Sequence, residues 1–324
     1  MPIMNENFEC SVLICTYKPD WEKLRLTLKS VLMQKNCNYY IVVTDDGSEK
    51  NYFDKVRNYF SCYGFSNYEL IASPENQGTT KNVLQGVHAC KGEFVKPLSP
   101  GDFLHGKQVL RKWVDFMRNR QECIMSFCDA IYYHWEKGKI IATKEFAYPQ
   151  SADVCGGGTS LSKYLIYNDI CLGASSMVRR ILWIKYLEMM AGKVLYAEDN
   201  SYRIMLYVGE KFAYIAQSFL LYEYGTGIST NGSEVWAERL RKDWLEADRI
   251  MLLMEPCAEA KRLHIPEYLR LVNKEGWPAR LQQWKWKIAP SRLFYRLRRR
   301  LFPRRTPVNV EDEFVCELLS MDIL

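Results

Sequence analysis

The chain has 324 residues, 48% hydrophobic and 25% charged, a balance that fits one large α/β domain with an appendage or two small domains. It excludes a disordered, collagen-like or coiled-coil protein, and no run approaches the ~18 uninterrupted apolar residues of a membrane span. The net charge of +6 is local: residues 280–305 carry 10 Lys/Arg and no acid, the last 14 residues carry 5 acids, and the remainder holds 34 basic and 33 acidic residues, so a nucleic-acid partner is not expected.

Residues 10–17 (CSVLICTY) read as a buried strand, short, β-branched and bounded by polar residues. Pro19 and Asp20 open a helix with Trp21, Leu24, Leu28, Val31 and Leu32 at helical spacing. A second strand, 39–44, stops at Asp45-Asp46-Gly47-Ser48 and is followed by a helix with Phe53, Val56 and Phe60 inward. A third strand covers 68–72, a helix runs from about Thr79 to Cys90, and a fourth strand, 93–98, ends at Ser99-Pro100-Gly101-Asp102. Strands joined by helical crossovers of this length predict a parallel sheet. Beyond it, 123–128 reads as a strand, 130–142 as a hairpin and Cys155–Thr159 as a glycine-rich turn. A helix follows Arg179-Arg180, another starts near Ala197-Glu198-Asp199, and 211–224 reads as strands. From Ser233 to about Met254 an amphipathic helix presents Trp236, Leu240, Trp244 and Met251, and helical patterns fill 258–275 and 279–301.

Three polar clusters fall just past strands: Thr16-Tyr17, Asp45 to Ser48, and Ser99 to Asp102. In an open parallel sheet the carboxyl ends of the strands form the ligand crevice. Asp45-Asp46-Gly47-Ser48 places two acceptors there with a sharp turn, although Ser48 before a helix also makes a good N-cap. Thr44 occupies the nucleophile position of a DxDG[TS] phosphatase pattern, which excludes that chemistry. Asp102 alone would read as a turn residue; on the same rim it becomes a candidate for holding Mg²⁺ or Mn²⁺, which often take one or two carboxylates plus phosphate oxygens. Glu198-Asp199 by itself reads as a helix start, where acids suit the dipole. The four histidines lack ligand spacing. The cysteines number 11 with no CxxC pair, which predicts free thiols in a reducing, cytoplasmic setting rather than zinc or disulfides. Met1 to Glu9 carries acids and no basic n-region, so no signal peptide is expected.

Taken in order, SVLICTYK, VVTDDGS, ENQGTTKNVLQGVHACKGEFVKPLSPGDFL and AEDNSYRIMLYVGEKFAYI resemble the family-2 glycosyltransferases of GT-A fold over about residues 10–230. The resemblance implies that Thr16 and Tyr17 line a nucleotide-base pocket, that Asp46 hydrogen-bonds the base with Asp45 beside it, and that Lys81 lies near the diphosphate. It implies that Asp102 is the last carboxylate of a metal motif and Asp199 the catalytic base, next to Glu198. Gly173, Ala174 and Ser175, with Arg179 following, match a segment near donor sugar and acceptor. One departure stands out: where the family commonly has Asp-x-Asp-Asp, this chain has Ser99-Pro100-Gly101-Asp102.

The expected architecture is a GT-A, Rossmann-like, mostly parallel sheet flanked by helices over 1–232, with a helical C-terminal extension over 233–324. The expected activity is inverting transfer of a sugar from a nucleotide-sugar donor, a UDP-sugar first, to a glycan or lipid-linked glycan, with Mn²⁺ or Mg²⁺ as cofactor. Members resembling this chain often build bacterial surface polysaccharides. The segment 278–305 combines Arg and Lys with Trp, Phe and Leu, the composition of an interfacial membrane helix, so a peripheral contact with the inner membrane face is expected. A solvated helix, or one packed on the acidic tail, has the same composition. The shortened metal motif leaves room for a binding protein without turnover, and the shared crevice for a nucleotidyltransferase.

Overall fold

The computed structural model describes residues 8–146, 164–165, 171–227, 233–274, 293–294, 297, 301 and 312–320. The expected turn at Cys155–Thr159 and nearly all of the expected helix 279–301 lie outside these residues. Four strands open the chain: β1 (Cys10–Thr16), β2 (Tyr39–Asp45), β3 (Tyr68–Ala72) and β4 (Phe94–Leu98). They alternate with α1 (Trp21–Leu32), α2 (Phe53–Cys62) and α3 (Thr79–Ala89). β1 pairs in parallel with β2 and with β4, and β2 with β3. Every residue of β2 is buried, which is why that strand reads as an unbroken apolar run rather than an alternating one.

Beyond β4 the sheet becomes mixed. β5 (Phe103–Leu104), α4 (Val109–Arg118), β6 (Cys123–Glu136) and β7 (Lys139–Phe146) come next. A 3₁₀ turn at Gly173–Ser175 leads into β8 (Ser176–Arg179), α5 (Arg180–Met190), α6 (Asn200–Val208) and β9 (Lys211–Glu223). Three helices, α7 (Glu234–Leu252), α8 (Ala258–Arg262) and α9 (Ile265–Val272), are followed by α10 (Asp312–Leu319). The nine-stranded sheet runs β3-β2-β1-β4-β8-β6-β9-β5, with β7 paired to β6. The expected hairpin at 130–142 is the outer half of one long strand, β6, turning back into β7.

Residues alternate between the two faces of the sheet. Val12, Ile14, Ile41 and Val43 point to α1, α2 and α4, where Leu24, Leu28, Val56, Phe60 and Trp113 cover them. Leu13, Val42, Val95, Met125 and Val178 point the other way, under Val83, Val87, Trp183, Leu187 and Met205. The same second cluster contains Ala247, Ile250, Met251, Ile265 and Leu269, so α7 and α9 share the core of the sheet. At the far edge, Phe314 and Leu318 of α10 fill a third cluster with Leu26, Phe103, Ile131, Tyr133 and Leu221, and Lys29 donates to the Ser320 carbonyl at 2.7 Å. Burying such side chains contributes about 1.5–3 kcal/mol each. Among the described residues no helix is long and apolar enough to cross a membrane.

Candidate active site

Because β1, β2 and β4 are parallel, their carboxyl ends share one rim. Thr16 ends β1, and its hydroxyl lies 2.7 Å from the Asp45 carboxylate. Asp45 also accepts from the backbone N–H and the hydroxyl of Ser48, at 2.7 and 2.8 Å. Wholly buried, Asp45 therefore locks the β1 and β2 termini together. Ser48 acts in that lock rather than as a helix cap: the residue preceding α2 is Tyr52, with no side-chain cap bond. Asp46 accepts from the N–H groups of Gln77 and Gly78, at 2.8 and 2.9 Å, and so ties the loop before α3 to the rim. Tyr17 stands beside this pair, half exposed.

The loop before α3 reaches the candidate base. Gly78 has φ +92, and a Cβ there would lie 2.6 Å from the Leu195 carbonyl, so only glycine allows the approach. The same carbonyl accepts from the Thr80 N–H at 3.0 Å. Leu195 begins the segment leading to Glu198-Asp199. That segment is held from the other side by Asp243 of α7, whose carboxylate accepts from the N–H groups of Leu195, Tyr196 and Ala197 at 2.9, 2.6 and 2.9 Å. Arg203 of α6, paired with Asp248 of α7 at 2.6 Å and donating to Asn200 at 3.0 Å, fixes the start of the helix. Lys81, exposed on the first turn of α3, lies one residue beyond Thr80.

Asp199 occupies the N-cap position of α6 but makes no side-chain cap bond. Burial pushes its carboxyl up to about 6, with Arg203 lowering it and Asp243 raising it. Burial, then the neighbouring Asp199, pushes Glu198 up to about 8. Two adjacent acids displaced in this way titrate as a pair and are what proton transfer near neutrality requires. Glu198 faces the turn at 173–175: a Cβ on Gly173 would lie 3.3 Å from its Oε1. Ser176 donates to the Gly173 carbonyl at 2.7 Å, and Ser175 to that of Leu172 at 2.9 Å, which closes the turn beside the acids.

The same turn connects to Asp102. Lys96 on β4 is fully buried; its ammonium donates to the carbonyls of Pro97 and Ala174 and stands 5.2 Å from the centre of the Trp113 ring. Burial lowers Lys96 to about 8, opposed by the charges of Cys128 and Asp102. Asp102 is buried, accepts from the Ser99 N–H at 3.0 Å, and is pushed up to about 7 by burial, with the Ser99 bond and Lys96 lowering it and Glu223 raising it. Asp46 joins the Glu198-Asp199 segment through the loop before α3, whose Gly78 N–H donates to it at 2.9 Å and whose Thr80 N–H donates to the Leu195 carbonyl at 3.0 Å. These contacts link Thr16, Asp45 and Asp46 through the loop before α3 to the segment that carries Glu198 and Asp199, and link Glu198 through the Gly173–Ala174–Ser175 turn to β4, which ends just before Asp102; Tyr17 and Lys81 adjoin them in sequence.

Arg179 is the exception and corrects the expectation drawn from the motif. β8 is antiparallel to β4 and pairs Arg179 with Phe94, the amino end of that strand, so Arg179 lies at the opposite edge of the sheet. There its guanidinium donates to Glu93 and to the carbonyls of Cys123 and Met117 at 3.0, 2.9 and 3.1 Å, a structural clamp. Sequence reasoning missed Lys96, Glu223, Asp243 and Asn82. Asn82, buried on α3, has a carbonyl oxygen with no partner, while its amide group lies 3.4 Å from the Thr16 carbonyl. An Asn inside an otherwise apolar helix face was the visible signal for it; Asp243, on an acid-rich surface-type helix, left none.

A divalent ion is a poor match for these donors. Among the described residues no three His, Cys, Asp or Glu side chains cluster to hold a metal. Asp102 is turned into the turn it closes, and Glu223, the nearest second carboxylate, is bonded to Lys23 at 2.7 Å.

A model of the family described as glycosyl transferase family 2 matches residues 11–159, just under half of the chain. No curated protein matches the sequence. Among solved structures, the chain is similar to TarS from S. aureus, with a TM-score of 0.55 at 15% identity over 81% of this chain and 43% of that one. It thus spans less than half the length of TarS. It is similar to TarS 1-349 in complex with UDP-GlcNAc, with a TM-score of 0.53 at 14% identity over 81% and 71%. It is also similar to mannosyltransferase PcManGT from Pyrobaculum calidifontis in complex with GDP-Man and Mn²⁺, with a TM-score of 0.57 at 13% identity over 92% and 88%. The glycosyl transferase family 2 model thus matches the segment that contains Thr16, Asp45, Asp46, Lys81 and Asp102, and the sheet around them has the GT-A fold of the similar structures.

Proposed function

We propose that this chain is an inverting glycosyltransferase: it moves a sugar from a nucleoside-diphosphate sugar to a hydroxyl of a glycan or lipid-linked glycan, in the synthesis of a bacterial surface polysaccharide. The observation that carries the reading is Asp199, an acid with no cap bond at the start of α6, raised to about 6 and set beside a second raised acid on the crevice rim. In a single displacement the acceptor oxygen bonds to the anomeric carbon as the bond to the diphosphate breaks. Asp199 takes the hydroxyl proton, and attack opposite the leaving group inverts the centre. Glu198, raised to about 8, stays protonated at neutral pH and leaves Asp199 as the base. Lys81 faces the departing charge. Thr16, Tyr17, Asp45 and Asp46 border the nucleotide, and the orphaned Asn82 carbonyl gains a donor from it. Gly173, Ala174 and Ser175 border the transferred sugar.

A UDP-sugar is the first donor to test, supported by the nucleotide sugars bound in the similar structures. Of the acids in the family's metal motif, Asp102 alone is present to hold the metal that the motif implies. The basic segment 278–305, in which Leu293, Phe294, Leu297 and Leu301 are exposed, is proposed to contact a membrane surface next to a lipid-linked acceptor. The test is nucleotide release from a panel of UDP- and GDP-sugars, together with donor-induced thermal stabilisation. Asp199→Asn should keep the stabilisation and lose transfer. Release at the wild-type rate from Asp199→Asn would refute the assignment, and release of pyrophosphate from a nucleoside triphosphate would favour nucleotidyl transfer instead.

A further inference from the structure

The turn at Ser99–Asp102 lacks two of the three acids that the family pattern commonly supplies, and the structure shows what stands there instead. Gly101 has φ +101, and a Cβ at that position would lie 2.6 Å from Glu223 Oε2. An acid at 101 is therefore disfavoured by the backbone conformation, and its Cβ would crowd a carboxylate that β9 delivers to the same place. Glu223 is not available as a simple replacement. Lys23 of α1 donates to its other oxygen at 2.7 Å, and the carboxylate is 8% exposed. The turn itself is braced: the Gly101 N–H donates to Thr27 at 3.1 Å and Tyr133 donates to the Gly101 carbonyl at 2.6 Å.

On the other flank, Lys96 is fully buried against Trp113, bonded to the Pro97 and Ala174 carbonyls. A buried ammonium costs several kcal/mol in desolvation unless neighbouring charge offsets it. Its bonds are to neutral carbonyls, and the groups that oppose its desolvation are Cys128 and then Asp102. Two acids, Asp102 and Glu223, and two lysines, Lys23 and Lys96, thus stand around the turn, Lys23 bonded to Glu223 and Lys96 to the Pro97 and Ala174 carbonyls. With as many lysines as acids around it, the turn lacks the excess of negative charge that an acid triad would carry. A hard dication gains its affinity from an excess of anionic oxygen. Here it would have to displace Lys23 from Glu223 and sit beside two cations. A diphosphate, by contrast, meets a turn without that excess of negative charge.

We infer that this chain binds the diphosphate of its donor without a divalent metal, Lys23 and Lys96 supplying at the Ser99–Asp102 turn the positive charge that a metal would otherwise bring. Lys96, with no exposed surface, does not touch the phosphates; it is a positioning residue that ties the Ala174 turn to β4 and sets the local field. Lys23, 29% exposed, is the group able to turn toward them. The inference rests on reading the crevice as a nucleotide-sugar site.

Calorimetric titration of UDP and GDP into the full chain, in EDTA and in excess Mn²⁺, tests it. The nucleotide that binds should do so with affinities agreeing within about twofold in the two conditions. Lys23→Met leaves the two carboxylates against Lys96 alone and removes one charge-assisted contact, so affinity in EDTA should fall roughly tenfold or more, and Mn²⁺ should restore it. A metal dependence acquired on losing a lysine is an effect that a merely structural role would not produce. Lys96→Met, of similar volume, should keep the fold and show the same acquired dependence. If wild-type binding disappears in EDTA and returns with Mn²⁺, the inference is overturned and Glu223 becomes a metal ligand, while the glycosyltransferase reading stands. If neither nucleotide binds in either condition, the nucleotide-sugar reading falls together with it.

Discussion

Asp243 offers the sharpest test of how the site is built, because it lies on α7, outside the matched segment 11–159, yet holds the loop that presents the two acids. Its carboxylate accepts three backbone N–H groups, from Leu195, Tyr196 and Ala197, and is buried. Asp243→Ala leaves three donors without acceptors. Hydrogen bonds to charged groups are worth about 1.5–3 kcal/mol each; sharing one carboxylate and partial rescue by water reduce the total to roughly 4 kcal/mol. At about 2.1 cal/mol/K per residue, unfolding this chain has an entropy near ~0.7 kcal/mol/K, so the melting temperature should fall by roughly 6 °C. Catalysis should suffer more than stability suggests, since a displacement of ~1 Å at a reacting group costs about 100-fold. Calorimetry on apo protein and turnover well below the melting temperature separate the two effects. Asp243→Asn, with one acceptor oxygen left, should lie between. A variant that loses stability but keeps kcat would refute the claim that α7 positions the acids, and one unchanged in both would refute the hydrogen-bond account.

Proton transfer by Asp199 predicts a rising limb in kcat/KM centred near pH 6, since its raised carboxyl is protonated and idle below that point; a rate flat from pH 5 to 8 would contradict it. Glu198, whose carboxyl is raised from 4.5 to about 8, is harder to ionise folded than unfolded. Stability should therefore decline as pH rises through that window, and Glu198→Gln should flatten the slope of melting temperature against pH. Asp46→Ala should abolish nucleotide-induced stabilisation by releasing the loop at Gln77-Gly78, measured as a thermal shift. Arg179→Met should lower the melting temperature by several degrees yet leave the donor KM unchanged; a raised KM would return Arg179 to the site.

Much of the active-site rim was legible in the sequence. A parallel βα pattern puts every strand's carboxyl end on one side, so Thr16, Asp45, Asp46 and Asp102 could be grouped from strand order alone. The helix α4 was not expected: Val109, Trp113 and Met117 have helical spacing, but Gln108 at its start makes no side-chain cap bond and nothing marked its beginning. What the sequence could not decide was direction and charge balance. Arg179 follows a site motif directly, yet an antiparallel strand carries it to the opposite edge within four residues, and strand sense is set by pairing, not by local propensity. Lys96 in an apolar strand and Glu223 at the end of another are unremarkable one at a time. Only folding, which brings residues 23, 96, 102 and 223 around one turn, makes them one set of lysines and acids, because electrostatic interaction depends on separation in space and not along the chain.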